Sequence, residues 1–141
     1  MRRMAAVLVL GLGLALAGQA QAASPAEGRW RTQSHNGEVK VEACGEFLCG
    51  YIVTSERLKV EPDMKDVENK DPALRGRLLK DLMFLSGFSG GPTQWKGGRV
   101  YNPDDGGTYK GTIKLVDADT LKLTGCITWP LCKTQTWRRI K

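Results

Sequence analysis

The densest group of polar, reactive side chains is "RVYNPDDGGTYKG", Arg99 to Gly111, where Asp104 and Asp105 lie between Tyr101 and Tyr109. Three chemistries are open to it. A calcium loop of the EF-hand kind needs oxygen ligands at alternate positions, glycine sixth and a bidentate glutamate twelfth. Counted from Asn102, the sixth residue is Gly107 but the twelfth is Ile113, so the register fails. A glycosidase-type carboxylate pair faces its bond from separate elements, about 5–9 Å apart, whereas neighbours in one loop point apart into water. The third reading is a chain reversal. Asn102-Pro103 starts a turn, and Gly106 and Gly107 supply positive φ where the strand must reverse. Tyr101 and Tyr109 then flank it as near-neighbours across the ladder. The hairpin is the expected reading.

Other reactive groups are few. His35, in "SHNGE", is the only histidine, so any Ser/His/Asp or Cys/His set must use it; a surface-loop histidine is the expected role. "GFSGGPTQWKGG" lacks the Gly-Lys-Ser/Thr ending of a phosphate loop. No catalytic residue and no enzymatic activity is expected.

The four cysteines fall as Cys44-x4-Cys49 and Cys126-x5-Cys132. Neither spacing suits a structural zinc site, and no Cys-x-x-Cys redox motif occurs. No metal or cofactor is expected. An even count in an exported chain reads as disulfides. Closing a small loop is worth about 2 kcal/mol and a long-range pair such as Cys44–Cys126 about 4.5 kcal/mol, so energy favours the long pairing. Composition favours the local one: Gly45 and Gly50 stand beside the two cysteines of the first pair and Pro130 lies inside the second, both turn signals. Cys44–Cys49 and Cys126–Cys132 are the expected pairs.

Export is read from the first residues. "MRRMAAVLVLGLGLALAGQAQA" has Arg2 and Arg3, an apolar run and a closing Ala20-Gln21-Ala22, the pattern of a signal peptide cleaved after Ala22. The run falls short of the roughly 20 residues of a membrane span. Residues 23–141 form one expected domain with 19 basic and 15 acidic residues. That mild excess suits weak contact with anionic envelope components, although a solvated surface is the simpler account. Nothing resembles a nucleic-acid footprint. The expected location is the periplasm.

These groups must be positioned by strands. "EVKVEA", Glu38 to Ala43, alternates strictly; with Cys44–Cys49 closing a turn, Val41 would face Ile52 and Val39 would face Thr54. Further strands are expected at 28–33, 50–54, 94–101, 108–116, 120–125 and 134–140, a spacing that argues for a sandwich or barrel. One segment departs from this. Asp71 reads as a helix cap and Pro72 as the first helical residue, with Leu74, Leu78, Leu79 and Leu82 at helical spacing, so a short helix is expected near 72–82.

The first strand carries Gly28-x-Trp30 and the last carries Trp137-Arg138-Arg139. If a barrel closes, these strands become neighbours and Arg138 or Arg139 can lie over Trp30, a cation–π contact worth about 0.5–2 kcal/mol. That pairing is similar to the closed end of lipocalin-like barrels.

Over Gly28 to Arg138 the chain resembles a bacterial envelope family catalogued as domain of unknown function 2147. The resemblance rests on Gly28-x-Trp30, "CGEFLCGYIV", "NKDPALRGRLL", "WKGGRVYNPDDGGTYKG", "LKLTGC" and the closing "TQTW" with its arginine. It implies a secreted, all-β, mainly antiparallel barrel of lipocalin-like form, with no agreed activity and no functional residues to carry over. A small, partly apolar ligand in the interior is the expected function, with Trp95, Tyr101 and Tyr109 as candidate walls. A filled barrel acting through its surface is the alternative, and a hydrolytic enzyme the distant third.

Overall fold

The computed structural model describes Gly13, Gly18 and residues 22–141. The export signal expected before Ala23 falls almost wholly outside these residues. Eight antiparallel strands follow one another in space as in sequence and close into a barrel. They are β1 (Gly28–Arg31), β2 (Glu38–Cys44), β3 (Phe47–Thr54), β4 (Met83–Gly90), β5 (Gln94–Asn102), β6 (Gly107–Asp117), β7 (Thr120–Thr128) and β8 (Leu131–Arg139). One short helix, α1 (Glu56–Val60), follows β3. Ser55 caps it by accepting a hydrogen bond from the Leu58 amide at 3.1 Å.

Strand alternation sorts side chains to the two faces of a closed sheet. Val39 and Val41 of β2, Ile113 of β6, Leu121 and Leu123 of β7 and Trp137 of β8 are buried. Between them stand lysines and threonines that face water, such as Lys40, Lys114 and Lys122. Trp30, Leu48, Leu85, Phe88 and Trp95 complete the core, which fills the end of the barrel where the chain enters and leaves.

The first hairpin differs from the expected register. Cys44 pairs with Phe47, so the chain reverses over Gly45-Glu46; Val39 faces Ile52 and Val41 faces Gly50. Gly45 has φ +63°, and this tight reversal moves the ladder two residues from one closed by Cys44 and Cys49. The disulfide therefore runs diagonally, from Cys44 to Cys49, with Cα atoms 5.8 Å apart. Cys126 and Cys132 stand directly opposite each other and form the second disulfide. Both pairs are local.

The helix expected near 72–82 is largely absent. Asp71 does cap, accepting from the Ala73 amide at 2.9 Å, but a single 3-10 turn ends at Leu74. Leu74 and Leu78 are exposed, so the leucine spacing marks no buried face. Instead, the Asp66 amide donates to the Arg77 carbonyl and the Leu79 amide to the Met64 carbonyl, pinching 67–76 into a closed excursion. β4 follows at once. It is an eighth strand that the Ser/Gly-rich "LSGFSGG" conceals, because its glycines read as breakers.

The hairpin from Asn102 to Gly107 is present. Gly106 has φ +67°, whereas Gly107 is extended and starts β6. Tyr101 pairs with Thr108 and Tyr109 with Val100, so the two tyrosines project to opposite faces of the wall.

Candidate functional site

Up-and-down connectivity places the N-terminal segment, the turns after β2, β4 and β6, and the C-terminus at one end. The connections after β1, β3, β5 and β7 gather at the other. The first end is sealed by Trp30, which is fully buried and donates from Nε1 to the Ala26 carbonyl at 3.0 Å. The Arg139 guanidinium lies 4.3 Å from its ring centroid. It also donates to the carbonyls of Glu27, Pro25 and Ala118, each at 2.7 Å. The choice between the two arginines is thereby settled. Arg138 faces out and donates to Thr120 Oγ1 at 2.6 Å. Gly28 has φ +135°, and a Cβ there would stand 2.6 Å from Arg139 Nη1. The Gly-x-Trp spacing thus reserves space for the arginine.

At the opposite end the barrel is open over a cavity of about 700 Å³. Its wall is apolar where β2, β3, β4, β5, β7 and β8 contribute Val39, Ile52, Phe84, Val100, Leu123 and Trp137. Phe84 and Trp137 meet at 6.0 Å between ring centroids, tilted by 40°. Gly125 also lines the space, and a Cβ there would meet only Tyr109 Cβ, at 3.6 Å. Leaving out a side chain at this point opens the barrel.

The rim is polar. Asp104 Oδ2 lies 2.7 Å from His35 Nε2, and Asp104 Oδ1 accepts from Arg57 at 3.3 Å. One carboxylate therefore ties together the connection after β1, helix α1 and the β5–β6 turn. These side chains are all about half exposed, which limits the strength of the ties. Asp105 accepts from the Tyr109 hydroxyl at 2.5 Å and from the Gly107 amide at 2.7 Å. Burial opposes ionisation of Asp105, but those hydrogen bonds prevail and hold its carboxyl below the usual range.

Beside the rim lies a buried ionic knot. The Asp66 side chain is fully enclosed. It accepts from Tyr101 at 2.5 Å, from Asn69 at 2.8 Å and from Arg77 at 2.8 Å. The Arg77 guanidinium also stacks 5.2 Å from the Tyr101 ring centroid. Burial works against the charged Asp66; the three donors and the Arg77 charge outweigh it, and the carboxyl stays below its ordinary range. Tyr101 is pushed up to about 12 by burial and by the Asp66 carboxylate. This knot fastens the 67–76 excursion to β5.

The three aromatic residues expected as walls separate accordingly. Trp95 does not line the cavity: it is buried in the packed half, opposite Ile113. Tyr101 reaches the rim, but its hydroxyl is committed to Asp66. Tyr109 lines the cavity. Sequence reasoning passed over Phe84, Val100, Leu123 and Trp137. Leu123 had a signal in its strand alternation, but its depth depends on the barrel register, and Phe84 lies on the strand that the glycines conceal.

A sealed, packed end and an open end over one apolar cavity define a small lipocalin-like calyx. The chain matches, over residues 28–139, the model of a family described as uncharacterized proteins conserved in bacteria, domain of unknown function 2147, and it belongs to that family. Among solved structures it is similar to protein HP1028 from the human pathogen Helicobacter pylori, described as belonging to the lipocalin family. The two are 28% identical, with 82% of each chain covered and a TM-score of 0.74. A comparison with curated proteins gives no match. The paired cysteines belong to an oxidising, extracytoplasmic setting.

Proposed function

We propose that this protein is a periplasmic binding protein that holds one small, partly apolar molecule in the open half of its barrel and carries out no catalysis. The observation that carries the reading is the cavity of about 700 Å³, within the roughly 300–1,000 Å³ of small-molecule sites. Its apolar wall would take a hydrocarbon or aromatic body, and the His35–Asp104–Arg57 rim would meet a polar end. The solved lipocalin-family relative supports the same reading by its architecture. His35 supports no catalytic alternative. It has a carboxylate partner, but among the described residues no hydroxyl is hydrogen-bonded to it, and its partner is shared with Arg57.

Native mass spectrometry of protein purified from the periplasm tests the proposal. A mass excess of one small molecule per chain, lost on denaturation, is expected. Protein that carries no such mass, and binds none from an envelope lipid and metabolite extract, would count against it.

A further inference from the structure

The charge is not spread evenly. Residues 94–141 carry nine basic and four acidic residues, while 23–93 carry ten and eleven. The strands β5 to β8 contain a single acid, Asp117, at the last position of β6. On the outer face of β5, β6 and β7 stand Lys96, Arg99, Lys110, Lys114 and Lys122, all exposed. Cross-strand register sets like charges directly opposite: Arg99 faces Lys110 and Lys114 faces Lys122. Such pairs oppose folding, and among the described residues none of the five forms an ion pair.

The stripe leads to an apolar tip. Lys110 pairs with Cys126, and beyond that residue the β7–β8 hairpin projects Ile127, Trp129 and Leu131, which are 73%, 84% and 63% exposed. The Cys126–Cys132 disulfide clamps its base, and the tip borders the mouth of the cavity. A polyanion would satisfy the lysines alone. A bilayer with anionic headgroups satisfies both features, because tryptophan favours the headgroup interface.

We propose that the β5–β7 face and the β7–β8 tip form a docking surface for an anionic lipid bilayer. The surface brings the open end of the barrel to the membrane, where an apolar molecule could be taken up or released. This inference does not depend on the cavity being a ligand site.

The experiment is binding of the disulfide-intact mature chain to vesicles of phosphatidylcholine alone and of phosphatidylcholine with about one-third phosphatidylglycerol. The other three tryptophans are buried, at 0%, 3% and 1% exposure for Trp30, Trp95 and Trp137, so a change in fluorescence on binding chiefly reports Trp129. Association with anionic vesicles, a blue shift and loss of binding on adding salt are expected. Lys110→Glu with Lys114→Glu should weaken binding at least about ten-fold, since each cation near an anionic surface contributes roughly a five-fold factor. These changes replace like-charge pairs with opposite ones, so an unchanged or raised melting temperature excludes misfolding. Trp129→Ser should abolish the blue shift. Equal binding to both vesicle types, or no effect of the double charge reversal, would overturn the proposal. So would binding to dextran sulfate without binding to vesicles.

Discussion

Asp66 shows how one buried charge is tolerated. Its three donors replace the water it loses, and removing the carboxylate would leave Arg77 and the Tyr101 hydroxyl without their acceptor and Asn69 with only the Tyr101 oxygen. Asp66→Ala is expected to cost about 3 kcal/mol by denaturant unfolding and to release the 67–76 excursion to proteolysis. The pH dependence follows from the two shifts. Asp66 ionises at lower pH in the fold than its ordinary 3.8, so its contribution is full above that value and disappears as the pH falls through the folded value. Tyr101 is raised from 10.0 to about 12, so its contribution holds below pH 10 and is lost as the pH rises towards 12. Unfolding curves across both windows, with the absorbance of tyrosinate followed at the alkaline end, check the signs. At the sealed end, Arg139→Met should cost more than about 3 kcal/mol, for one cation–π contact and three charged hydrogen bonds. Arg138→Met should cost less than about 1 kcal/mol, since one hydrogen bond to Thr120 is lost. Similar losses for both variants would contradict the asymmetric roles.

Among the elements, legibility followed how local the determining physics is. The 102–107 hairpin could be read because Pro103 and Gly106 act within the turn itself. The local disulfides were readable from the glycines and proline around them. The first hairpin's register was not, because a diagonal disulfide and a straight one have the same sequence signature and only the Gly45-Glu46 reversal separates them. β4 was hidden for a related reason. Its glycines bend a strand whose neighbours on both sides come from the barrel, so no local pattern declares it. The Pro72–Leu82 leucines show the opposite error, a helical spacing that long-range ties from Asp66 and Met64 override. The like-charge ladder belongs to this scale too. Lys114→Glu places a carboxylate opposite Lys122 and should raise the melting temperature by about 1–4 °C, measured by calorimetry. No rise, or a fall, would show that the pair carries no electrostatic strain.

At the scale of the molecule, eight strands produce two unlike ends because side-chain volume is distributed unevenly along them. Trp30, Phe88 and Trp95 fill one half; Gly125 leaves room in the other. This division was only partly legible. The strand spacing left a sandwich or a barrel open, and the matching Trp30 and Trp137-Arg138-Arg139 termini gave closure as a conditional expectation. Which aromatics face empty space was not, since it depends on depth along the axis: Trp95 sits in the packed half and Trp137 against the cavity. The rim gives the paired acids of the β5–β6 turn a structural role. Asp104 and Asp105 lie outside the EF-hand register, and their carboxylates turn to different partners. One ties three connections together and the other anchors Tyr109.

A ligand site in the open half of the barrel is tested most directly by filling the cavity without disturbing its wall. Gly125→Phe directs a ring into the space beside Tyr109, where a Cβ meets nothing closer than 3.6 Å. Binding of an apolar fluorescent probe such as 1-anilinonaphthalene-8-sulfonate should be measured by titration calorimetry and fluorescence. One saturable site is expected in the native protein, and in a Gly125→Phe variant of unchanged melting temperature a loss of affinity of about ten-fold or more. Equal binding by the two folded proteins, or no saturable site in the native one, would contradict it.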